Sequence, residues 1–189
     1  FLWAGNSTNS RNIVNGIDVS GEGGLVWIKD RTGVQVGGVT YGDNNSLFTT
    51  DRGANKTLLT DATDAEDTVG TDVFESFNSN GFTVGSHGRT NENNRDYVSW
   101  TFRNSPMFQC LTYTGNGTPN RTISHNLGSD VGMILIKKTS GSANWIVYHR
   151  GIGATNYLEL DNNSQANDYH FFQDTTPTST QFTIHSNSK

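Results

Sequence analysis

Apolar positions along this chain alternate over short stretches and stop at Gly or Asn. Gly24 to Asp30, GLVWIKD, is apolar on both faces, as a strand buried inside a pair of sheets requires. In GFTVGS, Gly81 to Ser86, Phe82 and Val84 share a face, and in YVSWTF, Tyr97 to Phe102, Val98, Trp100 and Phe102 do. MILIKK, NWIVYH, YLEL and QFTIH continue the pattern in the second half. Strands separated by frequent turn signals predict a sandwich or barrel. Thr60 to Gly70, TDATDAEDTVG, alone carries a capping pattern compatible with a helical turn.

The pattern occurs twice. TDRGANKTLLTD, Thr50 to Asp61, is echoed by YHRGIGATNYLELD, Tyr148 to Asp161, and GLVWIKDRTG by GMILIKKTSG, Gly132 to Gly141. LWAGNSTNSRNI, Leu2 to Ile13, lines up with LTYTGNGTPNRTI, Leu111 to Ile123. Ala54 and Ala154, Leu58 and Leu158, and Phe82 and Phe182 keep one constant spacing. The expected fold is therefore all-β, with two tandem antiparallel, jelly-roll-like β-sandwich modules over 1–105 and 106–189. A strand alternation of this kind leaves the strand order open between a jelly roll and an immunoglobulin-like sandwich.

Repetition points to core and turn positions. Trp27, Leu58, Phe82, Trp100, Trp145, Leu158 and Phe182 fall on apolar strand positions and are expected in the core. Arg52-Gly53 and Arg150-Gly151 read as matching loop anchors, Gly permitting positive φ and Arg binding carbonyls of a neighbouring loop. Val34 to Thr50 is longer than its counterpart and predicts an extra hairpin in the first copy. The first copy runs on through YVSWTF, whereas the second has no counterpart before Lys189, and the chain opens on Phe1 without Met. The expectation is that the natural polypeptide continues, or that a neighbouring subunit fills an open edge with a strand.

Composition narrows the function. Of 189 residues, 21 are Gly and only 16% are charged, so helix formers are scarce. A net charge of −5 without a Lys/Arg cluster argues against a nucleic-acid partner. No apolar run reaches the roughly 20 residues that cross a bilayer, so membrane insertion by a helix is not expected. Cys110 is the only cysteine, which leaves no internal disulfide and reads as a packed side chain near a strand start.

Candidate chemistry is sparse. A glycan-cleaving site needs two facing carboxylates, and the glutamates are Glu22, Glu66, Glu75, Glu92 and Glu159, the last expected to point outward from YLEL. Asp64, Glu66 and Asp67 form an acidic turn that lacks the calcium-loop pattern, and the ordinary reading is a solvated turn. His87, His125, His149, His170 and His185 lack zinc-ligand spacing, and His149 and His170 beside aromatic residues read as hydrogen-bonded structural histidines. Nucleophile-elbow and phosphate-loop motifs are absent. No catalytic, cofactor or metal site is predicted. Trp3, Tyr41 and Tyr148 are the aromatic candidates for stacking on a sugar.

GLVWIKDRTG, DRGANKTLL, AEDT, FNSNGFTVGS and DYVSWTFR, followed by YTGNGTPNRTISHNLG and NWIVYHRGIGATNYLEL, closely resemble repeat modules of large virion proteins of tailed, often marine, bacteriophages. The likeness covers nearly the whole chain and rests on the ordered set rather than on one motif. It implies a non-catalytic structural protein of the phage particle, in a tail fibre, appendage or surface decoration, assembled with copies of itself and other virion proteins. The alternative is a carbohydrate-binding module for host attachment through a surface glycan.

Overall fold

The computed structural model describes residues 1–36, 39–41, 44–163 and 167–186. Among them there are strands, turns and bends and no helix. The chain divides into two compact units, one comprising Phe1–Thr60 and Glu66–Asn104, the other Asp61–Ala65 and Ser105–Lys189.

The first unit carries β1 (Leu2–Ala4), β2 (Arg11–Val14), β3 (Gly24–Asp30), β4 (Val34–Val36), β5 (Val39–Tyr41), β6 (Ser46–Thr49), β7 (Lys56–Leu59), β8 (Asp67–Thr68), β9 (Phe74–Asn78), β10 (Gly81–Val84) and β11 (Asp96–Arg103). Its six-stranded sheet has the order β1-β11-β3-β6-β7-β8, its three-stranded sheet β2-β10-β9, and β4 pairs with β5 as a separate hairpin. All these pairings are antiparallel. The longer loop expected of the first copy is thus the β4–β5 hairpin, with Val34 opposite Tyr41.

Both sheets feed one buried cluster. Val26, Ile28, Phe48 and Tyr97 come from the larger sheet and Ile13, Phe74, Phe82 and Val84 from the smaller one. Its aromatic rings pack in sequence: Phe48 stacks on Phe74 at 4.3 Å, and Trp3 stacks on Tyr97 at 5.5 Å. Tyr97 is wholly buried yet satisfied, because its hydroxyl donates to Gly88 O and accepts from Glu92 N.

The second unit carries β12 (Arg121–Ser124), β13 (Met133–Ile136), β14 (Ile146–His149), β15 (Asn156–Glu159), β16 (Asn167–Asp168) and β17 (Gln181–Ile184). The sheets are β13-β14-β15-β16 and β12-β17. Ile123, Ile146, Tyr148, Tyr157, Phe171, Phe172, Phe182 and Ile184 form its core.

Register shows how closely the units repeat. Ile13 lies opposite Phe82, and Ile123 opposite Phe182. Val26 faces Phe48 and Ile134 faces Tyr148, Leu47 faces Leu58 and Val147 faces Leu158, and Lys56 faces Thr68 where Asn156 faces Asp168. Two expectations need correction. The segment Thr60 to Gly70 holds a turn and then β8, not a helical turn. Leu158 is half-buried, because β15 turns Tyr157 into the core and Leu158 to the opposite face.

Candidate functional site

Alternation in β11 names the residues that share a face without saying which face is inward. Ser99 and Thr101 follow Tyr97 on the core side, and Val98, Trp100 and Phe102 stand on the other. Trp100, expected in the core, is therefore 46% exposed, as Phe102 is at 45% and Leu2, opposite Val98 on β1, at 60%. The side that buries Tyr97 wins because its hydroxyl finds partners inside the unit, whereas a larger indole does not displace it. Trp27 shares the outer face, half-buried, its ring 5.5 Å from that of Trp100. A row Trp100–Trp27–Leu47–Leu58 crosses β11, β3, β6 and β7, with Leu47 and Leu58 buried outside the main core cluster.

Beside this face lies a hollow of about 360 Å³ lined by Phe1, Asn15, Ile17, Ser99, Trp100, Thr101 and Phe102. Asn15 Nδ2 donates to Thr101 Oγ1 at 2.9 Å, and Ser99 Oγ is buried without a hydrogen-bond partner. The hollow offers aromatic rings, one amide and hydroxyls. No acid lines it.

The stacking candidates named from sequence fall elsewhere. Trp3 is 8% exposed, donates from Nε1 to Thr90 O and packs against Tyr97 and Phe82, while Tyr148 is 1% exposed inside the second core. The side chain of Tyr41 lies outside the described residues. Phe82, Trp145 and Phe182 are buried, Phe82 and Phe182 within the two core clusters.

The two arginines are not equivalent. Arg52, with 7% of its side chain exposed, donates to Thr49 Oγ1, Glu66 Oε2 and Leu47 O. Arg150 is exposed and donates to Asp130 O. Backbone geometry explains the mismatch: Gly53 and Gly153 both have positive φ, and Arg52 N and Ile152 N each bond the carbonyl of the last residue of the preceding strand. Arg52 therefore matches Ile152 and Arg150 matches Thr50, so the two Arg-Gly pairs stand two positions out of register and are not equivalent. A similar shift applies at the start: Arg11 Nη1 donates to Ala4 O and Arg121 Nη1 to Thr114 O, so Trp3 matches Tyr113.

Carboxylates are held in separate places. Glu66 pairs with Arg52 at 3.0 Å and Lys56 at 3.7 Å, so it is not the solvated end of an acidic turn. Asp67 meets Arg89 at 3.7 Å. Asp30, which sequence reasoning passed over, is 2% exposed and paired to Arg95 at 3.0 Å, with Glu92 on the same guanidinium at 2.7 Å. Asp18 is held below the usual carboxylate range, chiefly by the Gly21 N–H bonded to it, with Ser20 adding two further donors. Burial pushes the Tyr113 and Tyr148 hydroxyls up and Lys137 down.

Among the described residues no group of three or more His, Cys, Asp or Glu could hold a metal ion. His149 Nδ1 accepts from Gly151 N, and His170 pairs with Asp174 at 2.7 Å on the surface. His87 Nδ1 accepts from Arg89 N, His125 is buried, and His185 stands edge-on to Tyr169. Cys110 is half-buried. No helix of the described residues is long and apolar enough to cross a membrane.

The family model for a domain of unknown function, DUF7483, matches residues 1–189. The chain belongs to the DUF7483 family. No curated protein and no solved structure matches it significantly. For this DUF7483 chain, the exposed strand face around Trp100 and its adjoining hollow are the features that point to a function.

Proposed function

We propose that this chain is a non-catalytic structural segment of a bacteriophage particle, two tandem jelly-roll-like sandwich modules in a tail fibre, appendage or surface decoration. It assembles with copies of itself and with other particle proteins. The carrying observation is the group Leu2, Trp100 and Phe102, three large apolar side chains that share one side of a sheet and are each about half exposed. Side chains of this kind on a flat strand surface suit contact with another protein surface. The particle itself rests on the resemblance of the ordered motifs to virion repeat modules. Antibodies raised against the chain, applied to intact particles of the phage that encodes it, test the reading by electron microscopy: regular labelling of one substructure supports it, and unlabelled particles with the protein only in the infected-cell lysate overturn it.

A second reading, a carbohydrate-binding module for host attachment, draws on the hollow beside Trp100. An indole face offers a stacking surface to a sugar ring, and Asn15 and Thr101 offer hydrogen bonds. Saturable binding on a glycan array that Trp100→Ala abolishes would favour it.

A further inference from the structure

The two units differ most at one strand edge. In the first unit β3 lies between β6 and β11, whereas in the second β13 is paired with β14 alone and ends its sheet among the described residues. The ladders make these strands equivalent: Leu25, Val26, Trp27 and Ile28 face Thr49, Phe48, Leu47 and Ser46, as Met133, Ile134, Leu135 and Ile136 face His149, Tyr148, Val147 and Ile146. The consequence is visible in burial. Val26 and Ile28 are wholly buried and Leu25 is 9% exposed, while Ile134 and Ile136 are half-buried and Met133 is 52% exposed.

Backbone polarity agrees. Arg150 N donates to Gly132 O, so Gly132, Ile134 and Ile136 direct their peptide groups to β14, and Met133 and Leu135 direct theirs to the open edge. In the first unit the matching groups meet β11, with Phe102 opposite Leu25, Thr101 opposite Val26, Trp100 opposite Trp27 and Ser99 opposite Ile28. A separate observation points the same way. Gly24 must lack a side chain because a Cβ there would lie 2.1 Å from Phe102 O. Its counterpart Gly132 is also glycine, although the nearest atoms to a Cβ there belong to the Arg150 side chain at 3.3 Å. The second unit keeps the clearance that an incoming strand requires.

We propose that the open edge of β13 is a strand-acceptor site, and that its occupant is a strand with the residue pattern of β11. That strand runs antiparallel to β13, sets small hydroxyl-bearing residues over Ile134 and Ile136, and sets aromatic residues beside Met133 and Leu135. Main-chain hydrogen bonds supply affinity and the alternation supplies register. The inference rests on the internal repeat and stands apart from the particle reading.

The test is to add a peptide of sequence Asp96–Arg103 to the intact chain and follow amide hydrogen exchange. The expected result is saturable binding in which the Met133 and Leu135 amides gain protection and those of Ile134 and Ile136, already bonded to β14, change little. A peptide with its aromatic and hydroxyl positions exchanged should bind more weakly by about tenfold or more. Leu135→Pro removes an edge N–H without touching the β14 ladder and should weaken binding to a similar degree. Absence of binding at millimolar peptide, protection confined to other strands, or a peptide-free dimer joined through its β13 edges would each overturn the proposal.

Discussion

Trp27 and Trp100 face each other across the β3–β11 ladder, their rings 5.5 Å apart and inclined at 51°, on the side of the sheet away from Tyr97. Trp3, by contrast, lies in the core with its indole N–H bonded to Thr90 O. Trp3→Ala should therefore cost about 3–5 kcal/mol in urea unfolding. Trp100→Ala should cost about 1 kcal/mol or less, because half of its ring is already in water. Equal losses would show that the outer indole is part of the core after all.

Arg52 and Arg150 should separate in the same way. Removing Arg52 leaves Glu66 with only Lys56 at 3.7 Å and strands two further acceptors, Thr49 Oγ1 and Leu47 O, so Arg52→Ala should lose about 3 kcal/mol. Arg150→Ala, at an exposed site with one carbonyl partner, should stay within about 0.5 kcal/mol of the parent. Thermal melts of the two variants read the contrast directly.

Gly81 and Gln181 begin equivalent strands under different constraints. Gly81 has φ of +148°, and a Cβ on it would lie 2.0 Å from Ile13 O. Gly81→Gln should therefore cost about 2–3 kcal/mol from backbone conformation alone, whereas Gln181→Gly should cost about 1 kcal/mol or less. The check is calorimetry on each variant.

The Asp18 carboxylate is stabilised as the anion in the folded state by Gly21 N–H and the Ser20 donors. Its folded pKa lies below the unfolded value, so it binds fewer protons when folded. Its contribution is full above the ordinary carboxylate value of 3.8 and is lost as pH falls through the lower, folded one. Asp18→Asn should flatten the acid limb of the stability profile over that interval and leave the slope at neutral pH unchanged. A two-dimensional NMR titration locates the folded value.

Much of the architecture was legible in the sequence, because strand alternation and turn residues are local signals. The repeat exposed Phe82 with Phe182 and predicted an extra hairpin, since spacing survives substitution. Trp100 was misplaced for a physical reason: period two groups residues by face, and the choice of inward face depends on whether the Tyr97 hydroxyl finds Gly88 and Glu92. Leu158 failed likewise, with Tyr157 taking the inward position. The Arg52–Arg150 match failed because a two-letter echo outweighed the positive-φ glycines, Gly53 and Gly153, that mark the true correspondence. Asp30 and Arg95 were missed because their ion pair joins distant parts of the chain. The hollow beside Trp100 also needs the β1–β11 pairing, which no local pattern announces.

The central claim is that the Leu2, Trp100 and Phe102 face is an assembly surface. Sedimentation equilibrium of the chain over a wide concentration range, beside Trp100→Arg and Phe102→Arg variants that fold with parent-like spectra, tests it most directly. The account predicts concentration-dependent association of the parent chain and loss of that association by about tenfold or more in either variant. A parent chain that associates no differently from both variants would contradict it.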